Sequence, residues 1–343
     1  MSLAVFAEKI VHGRLHPLIL FPVRLILLPL SLCYALLTAV RNICYDLRIL
    51  KPRTLPVPVI SVGNITVGGT GKTPAAILIA EHFLERGDRV ALLARNYGAD
   101  SGLNDECAMI RKRFPDIIVI GEPDRTAGGH KAVEQGADII ILDDGFQHRQ
   151  LNRDCDILTV DERTASGLHL PLPAGPFREI WAYRKRADIF ILTKCRSESV
   201  PRSLQSRTDN PLFRSVHEAT GLSGIMEQRQ PDYLGEKRVF LFCGIGDPAY
   251  FMETASACGA VIAGHRFFPD HYRYTEKDLA GMIIQAEACG AEILLTTEKD
   301  MVKAEPLMKN SKNNIEFLSL SITIRILENE AALWNRIHEC IAQ

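Results

Sequence analysis

At 343 residues, 47% of them hydrophobic and 24% charged, the chain has the composition of a folded globular protein and the length of about two domains. Its net charge of -1 gives no excess of cations for a nucleic-acid partner. The nine cysteines are scattered without a CxxC pair, so neither a zinc site nor a disulfide framework is indicated, and reduced cytosolic thiols are expected.

The N-terminal region, residues 1–50, stands apart. Leu25 to Val40 carries no charge, yet it is shorter than the ~20 residues a spanning helix needs, and Arg24 and Pro29 interrupt the stretch. No convincing small-residue cleavage site follows it, as a signal peptide would require. Leu32, Leu36, Val40, Ile43, Leu47 and Leu50 recur at helical spacing, with Arg41, Tyr45 and Arg48 on another face. Arg14, Arg24, Lys51 and Arg53 flank the stripe with cations. The pattern predicts an amphipathic helix lying on an anionic lipid surface, and packing of the apolar stripe on the chain's own domain is the competing reading.

From Pro52 onward, short apolar runs alternate with stretches that can hold helices. Strands are expected at Val57–Val62, Arg89–Ala94, Ile117–Ile120, Asp138–Leu142, Asp156–Val160 and Asp188–Thr193, with a helix at Thr73–Arg86. Continuous apolar strands alternating with helices are the signature of a parallel sheet covered on both faces. Between Val200 and Gln230 the apolar runs fade into polar sequence, so the first α/β domain is placed at 51–225. A second, smaller α/β domain is placed at 235–343. It has strands at Val239–Cys243, Val261–His265 and Glu292–Thr296 and helices at Pro248–Cys258 and Thr275–Cys289.

The strongest local signal is the strand, glycine-rich turn and helix around Val62-Gly-Asn-Ile-Thr-Val-Gly-Gly-Thr-Gly-Lys-Thr73. Backbone N–H groups of Gly68, Gly69, Thr70 and Gly71 can wrap phosphate oxygens at the positive end of the helix. Lys72 can then reach the β- and γ-phosphates of ATP, and the Thr73 hydroxyl can ligate Mg2+. The strict G-x-x-x-x-G-K-[ST] spacing is not met, because Thr66 stands where its first glycine belongs. A second signal is Ile139-Ile-Ile-Leu-Asp-Asp144, an apolar strand ending in two carboxylates. Asp143 and Asp144 are therefore expected to hold the metal with Thr73 at the carboxyl end of a parallel sheet.

These features, with Asp143-Asp-Gly-Phe-Gln-His148, Leu172-Pro-Ala-Gly-Pro-Phe-Arg-Glu179, Gly244-Ile-Gly246, Phe268-Pro-Asp-His271 and Thr297-Glu-Lys-Asp300, resemble the tetraacyldisaccharide 4'-kinase family. The resemblance runs from about residue 55 to 303. It implies a P-loop kinase that moves the γ-phosphate of ATP to the 4'-hydroxyl of an acylated glucosamine disaccharide 1-phosphate in lipid A synthesis. It also implies a peripheral enzyme on the cytoplasmic face of the bacterial inner membrane. By the same resemblance Asp105, in Asn104-Asp105-Glu106, is the base that activates the acceptor hydroxyl, and His271 is its partner. Both departures from the family pattern are asparagines in place of glycine, Asn104 and Asn96, the latter between Arg95 and Tyr97. Arg95, Tyr97, Arg125, Gln147 and His148 are candidate substrate contacts, and Glu179 is a candidate metal carboxylate. Asp105 is expected in the P-loop domain and His271 in the C-terminal one.

Two other classes compete. A membrane-associated GTPase switch would need a guanine-reading N-K-x-D sequence. Thr193-Lys-Cys195 resembles the related T-K-x-D form, but Arg196 occupies the place of the Asp. A nucleotide-gated scaffold would explain the phosphate loop and the N-terminus, but not the Asp105 and His271 segments.

Overall fold

The computed structural model describes residues 10–11, 13, 16–94, 105–205, 210–224, 228–308 and 315–342. Its strands are β1 Val59–Gly63, β2 Val90–Ala94, β3 Ile118–Gly121, β4 Ile139–Asp143, β5 Cys155–Asp161, β6 Ile189–Thr193, β7 Leu212–Gly224, β8 Gln228–Arg229, β9 Arg238–Cys243, β10 Val261–Phe267, β11 Ile293–Thr297 and β12 Glu316–Ile326.

Two compact units emerge. One comprises Met1–Asn96, Asp116–Val216 and Ile326–Gln343, the other Tyr97–Pro115 and His217–Arg325. The first unit's sheet runs β3-β2-β4-β1-β5-β6-β7, and each of these neighbouring pairs is parallel. All residues of β1, β2, β4 and β6 are buried, as befits strands covered on both faces. Helix Lys72–Glu85 buries Ala75, Ala76, Ile79, Ala80 and Phe83, largely small side chains that let a helix lie close to a sheet. The second unit's sheet runs β10-β9-β11-β12-β7, with β8 antiparallel on β7.

The units are not the linear blocks drawn from the sequence. β7 occupies the stretch where apolar runs fade, because its residues alternate between partly exposed and buried instead of forming a continuous apolar run. β12 and helix Glu330–Ile341 return the C-terminus to the first unit, where Leu333, Ile337 and Cys340 of that helix are buried. Helix Asp105–Arg113 belongs to the second unit and packs on helix Glu298–Met308. There the Arg113 guanidinium meets Glu298 at 3.2 Å and Lys112 meets Glu305 at 2.8 Å.

The N-terminal helix, Pro17–Asp46, is long and apolar enough to cross a membrane, with a mean hydropathy of 2.1 over its most apolar window. Its polar side faces the first unit. Ser31 accepts from the Ala174 N–H at 2.9 Å, the Tyr34 hydroxyl donates to the Arg178 carbonyl at 3.0 Å, and Asn42 donates to Glu179 at 2.6 Å. Leu32, Leu36, Val40, Ile43, Leu47 and Leu50 are all exposed. The competing expectation, that this stripe packs on the chain's own core, is therefore overturned. The helix docks through hydrogen bonds and turns its leucines outward.

Candidate active site

The phosphate loop begins where β1 ends. A side chain at Gly63 would sit 2.6 Å from the Phe146 backbone nitrogen, so only glycine lets the loop after β4 pass so close to the strand end. Gly68 and Gly71 adopt positive φ, 112° and 82°, and Gly71 stands directly before the helix as its cap. The loop between them is held from outside. Buried Asn64 donates to the Thr70 hydroxyl at 2.8 Å, and that hydroxyl also pairs with Thr159 at 3.1 Å. Thr193 donates to the Thr70 carbonyl and the Lys194 ammonium to the Gly69 carbonyl, each at 2.8 Å.

β4 lies beside β1 with Val62 opposite Asp143, so the acid pair emerges next to the loop. The Thr73 hydroxyl donates to the Asp143 carboxylate at 2.7 Å. Asp144 turns away into a positive-φ conformation, and both its oxygens accept from Arg178 at 2.8 Å. The Lys72 ammonium stands 3.8 Å from Asp144 and 3.4 Å from the Gly68 carbonyl. Burial works to raise the Asp144 carboxyl, but Lys72, Arg178 and Arg125 outweigh it and hold it below the usual carboxylate range. The Thr73 hydroxyl thus meets Asp143, while two cations, Lys72 and Arg178, meet Asp144.

The remaining first-unit candidates are tied to neighbouring groups of the protein. Glu179, expected as a metal carboxylate, is instead locked by Arg186, at 2.8 and 3.1 Å, and by Asn42 of the N-terminal helix. Both its oxygens accept from Arg186, and one of them also from Asn42. Burial tends to raise its carboxyl, and Arg186, Asn42 and Gln147 bring it below the usual range. Arg125, expected to touch substrate, is 2% exposed and donates to the Asp143 carbonyl at 2.8 Å, supporting the end of β4. Gln147 donates to the Asn64 carbonyl at 2.8 Å and accepts from Arg178 at 3.2 Å, so it couples the acid pair to the phosphate loop. His148 closes the turn after the acids, its N–H on the Gly145 carbonyl at 2.8 Å and its carbonyl on Arg153 at 3.1 Å.

Asp105 and His271 lie in the same unit, against the expectation that they belong to different domains. Contacts of helix Asp105–Arg113 with helix Glu298–Met308 outweigh the sequence position of Asp105 between first-unit strands. Lysines one turn apart serve them. The Lys303 ammonium is 3.7 Å from the Asp105 carboxylate. The Lys299 ammonium is 3.2 Å from Glu106, 3.4 Å from Asp270 and 3.3 Å from His271 Nε2. Burial works against the charge on Lys299, yet Glu106 and Asp270 keep its ammonium above the ordinary lysine range. The surrounding strings explain themselves. Thr297 caps its helix by accepting from the Asp300 N–H at 3.2 Å. Buried Asp300 accepts from the Gly244 N–H at 3.0 Å, and the Gly244 carbonyl accepts from His271 N–H at 3.2 Å.

Arg95 and Tyr97 lie outside the described residues. Sequence reasoning assigned no role to Arg178, Lys299 and Lys303, and met Lys194 only in the string that resembles a guanine-reading motif. Arg178 and Lys299 stood inside the recognised strings, and a search for cations flanking each acid would have found them. Lys303, four residues after Lys299, is the next position on the same helix face.

The family model described as Tetraacyldisaccharide-1-P 4'-kinase matches residues 23–342. The chain belongs to the tetraacyldisaccharide-1-P 4'-kinase family. Among the relatives of this kinase family, the tetraacyldisaccharide 4'-kinase of Syntrophus aciditrophicus is 37% identical over 322 residues, spanning 84% of this chain and 86% of the relative. That of Pelobacter propionicus is 35% identical and spans 94% and 95%. A crystal structure of the "apo" form of LpxK from Aquifex aeolicus in complex with ATP matches with a TM-score of 0.75 and 32% identity. It covers 93% of this chain and 99% of that one.

Proposed function

We propose that the protein transfers the γ-phosphate of ATP to the 4'-hydroxyl of an acylated glucosamine disaccharide 1-phosphate, working from the cytoplasmic face of a bacterial inner membrane. The observation that carries this reading is the convergence of the Gly68–Thr73 loop with the acid pair at the ends of β1 and β4, in a chain of this family. Phosphoryl transfer needs positioning and charge stabilisation more than covalent chemistry, and this end of the sheet offers both. The loop N–H groups and the helix start bind phosphate oxygens, and Lys72 meets the charge on the β- and γ-phosphates. Asp144 and Arg178 hold Lys72 in place through their shared ion pairs.

The donor set fits Mg2+, which prefers hard oxygens and few protein ligands. The Thr73 hydroxyl and Asp143 carboxylate would hold it, with Asp144 left to its cations. Bound there, the ion would neutralise charge on the phosphates. Asp105 accepts the acceptor hydroxyl's proton as that oxygen bonds to the γ-phosphorus and the bond from this phosphorus to the ADP oxygen breaks, with the Lys303 ammonium 3.7 Å from its carboxylate.

The N-terminal helix supports surface attachment. Its segment from Ser31 to Asp46 is fixed to the first unit, which leaves residues 17–30, about 21 Å at ~1.5 Å per residue, short of the ~30 Å hydrocarbon core. The outward leucines suit burial in the upper layer of a bilayer.

The test supplies ATP, Mg2+ and a 1-phosphorylated acylated glucosamine disaccharide in detergent, and looks for new phosphate on the distal sugar. A product bearing phosphate at both ends is expected. GTP hydrolysis in preference to ATP, with no acceptor phosphorylated, would overturn the reading in favour of a nucleotide switch.

A further inference from the structure

The Thr193-Lys-Cys195 segment resembles a guanine-reading motif whose final acid is replaced by Arg196, and the kinase reading leaves it without a role. The structure shows where its side chains go. Thr193 ends β6, and its hydroxyl donates to the Thr70 carbonyl at 2.8 Å. Lys194 follows in a positive-φ conformation, φ 56°, that turns its side chain back, and its ammonium donates to the Gly69 carbonyl at 2.8 Å. Both residues are buried or nearly so. Non-glycine residues seldom adopt positive φ, so the turn at Lys194 is held by its surroundings.

The third carbonyl of the run is also tied. The Gly68 carbonyl accepts from the Thr70 N–H at 3.1 Å, from Lys72 at 3.4 Å and from Asn64 at 3.4 Å. Three successive carbonyls of a glycine-rich loop are therefore each held by a partner, those of Gly69 and Thr70 by side chains from the end of β6. A planar trans peptide directs its N–H opposite to its C=O. Thr193, on the Thr70 carbonyl, thus aims the Gly71 N–H to the other side, the side a phosphate must occupy, while Lys194, on the Gly69 carbonyl, locks the turn that the Thr70 N–H closes on the Gly68 carbonyl between the Gly69 and Gly71 N–H groups. Left to itself this loop would be poorly ordered, because Gly68, Gly69 and Gly71 lack a Cβ to restrict it. An ordered loop spares ATP the entropy of fixing it on binding.

We propose that Lys194, seconded by Thr193, is a positioning residue for ATP. It fixes the carbonyl side of the phosphate loop from β6 so that the N–H side is set before the phosphates arrive. The inference rests on the reading of this loop as the ATP site and deepens it. In place of a base-reading lysine, the motif supplies a loop brace.

The experiment uses the full chain in detergent and compares the parent with Lys194→Met, Lys194→Arg and Thr193→Val. Each is assayed for KM of ATP, KM of the acylated disaccharide, kcat and the rise in Tm on adding ATP with Mg2+. Lys194→Met keeps the stem and removes the charged donor, so KM for ATP should rise about tenfold to a hundredfold, the range for one lost charge-assisted hydrogen bond. The ATP-induced rise in Tm should shrink with it, while the acceptor KM stays within about twofold and kcat changes less than the ATP KM. Lys194→Arg should recover most of the loss. Thr193→Val, which keeps shape and removes the hydroxyl, should show the same pattern at smaller size. It decides the question alone if Lys194→Met does not fold.

Unchanged ATP KM and an unchanged ATP-induced Tm rise in a folded Lys194→Met or Thr193→Val variant would overturn the proposal. So would equal loss toward both substrates with a lowered Tm without ATP, since that marks a structural role only. A parent enzyme that neither binds nor turns over ATP would instead defeat the underlying reading of the loop, and the two failures are separable.

Discussion

In the first unit the functional charges gather where β1 and β4 end side by side, and the loop and the acid pair each stand in a motif of their own. In the second they gather along one helix, Glu298–Met308, whose Lys299 and Lys303 reach Glu106 and Asp105 of a helix far earlier in the chain. The first arrangement is a property of one strand–loop–helix unit and its neighbour. The second exists only once helix Asp105–Arg113 has left its place in the chain order and packed on another unit. Sites of the first kind are written locally, and those of the second kind are written in packing.

The comparison is tested hardest at Lys72. If the first-unit cluster is the phosphate site, Lys72→Ala removes the cation that follows the glycine loop and kcat should fall by about a thousandfold, comparable to losing a preorganised transition-state donor. Raising the acceptor concentration should not restore it. Near-parental kcat would remove the first-unit cluster from the chemistry.

Asp143→Asn comes next. It keeps shape and the hydrogen bond from Thr73 but removes the charge beside that hydroxyl. A rate loss of about a hundredfold and a higher Mg2+ requirement are expected, because a cation held by hard oxygens loses a negatively charged protein ligand. Asp144→Asn should act differently: it should loosen Lys72 and Arg178 and raise KM for ATP more than the Mg2+ requirement. If the two variants titrate identically with Mg2+, the division between the acids is wrong.

Legibility follows the same division. The parallel strands of the first unit read directly as apolar runs, and β1, β2, β4 and β6 lie within a residue or two of where periodicity puts them. β7 escaped because Arg214, Glu218 and other polar residues interrupt it. β12 was readable: Leu318, Leu320, Ile322, Ile324 and Ile326 alternate at period two. For the site, the glycine loop and acid pair carry their own signal, whereas the tie between Glu179 and Asn42 was hidden, because nothing in its neighbourhood announces a partner more than a hundred residues earlier. The joint placement of Asp105 and His271 was equally hidden, since it depends on which helix Asp105–Arg113 packs against.

Variants of the second-unit cluster sharpen that point. Asp105→Asn should lower kcat by about a hundredfold, within the usual yield of a positioned general base, and leave KM for ATP nearly intact. His271→Ala should cost about tenfold, because His271 Nε2 meets Lys299 at 3.3 Å and so acts on the acids through that lysine. Lys299→Met should then mask the His271→Ala effect, and the double variant should lose far less than the product of the single losses. Multiplicative losses would show that His271 works apart from the lysine.

The smallest catalytic effect is expected at Glu179, and it separates support from chemistry within the first unit. Glu179→Gln should leave the Mg2+ titration unchanged, because its carboxylate serves Arg186 and Asn42. What it should lose is stability. Removing one partner of a buried ion pair strands the Arg186 charge, at a cost of about 3 kcal/mol near neutral pH. The pH dependence has a fixed sign. The Glu179 carboxyl lies below its ordinary value in the folded state, so its contribution is fully present above ~4.3, the usual glutamate value, and is lost as pH falls through the lower folded value. The Tm gap between parent and variant should therefore be constant from pH 8 to about pH 5 and close in stronger acid. The same substitution should weaken docking of the N-terminal helix, read as faster proteolysis between residues 17 and 46. A changed Mg2+ requirement with unchanged Tm would restore Glu179 to the metal and undo its assignment as the clasp of that helix.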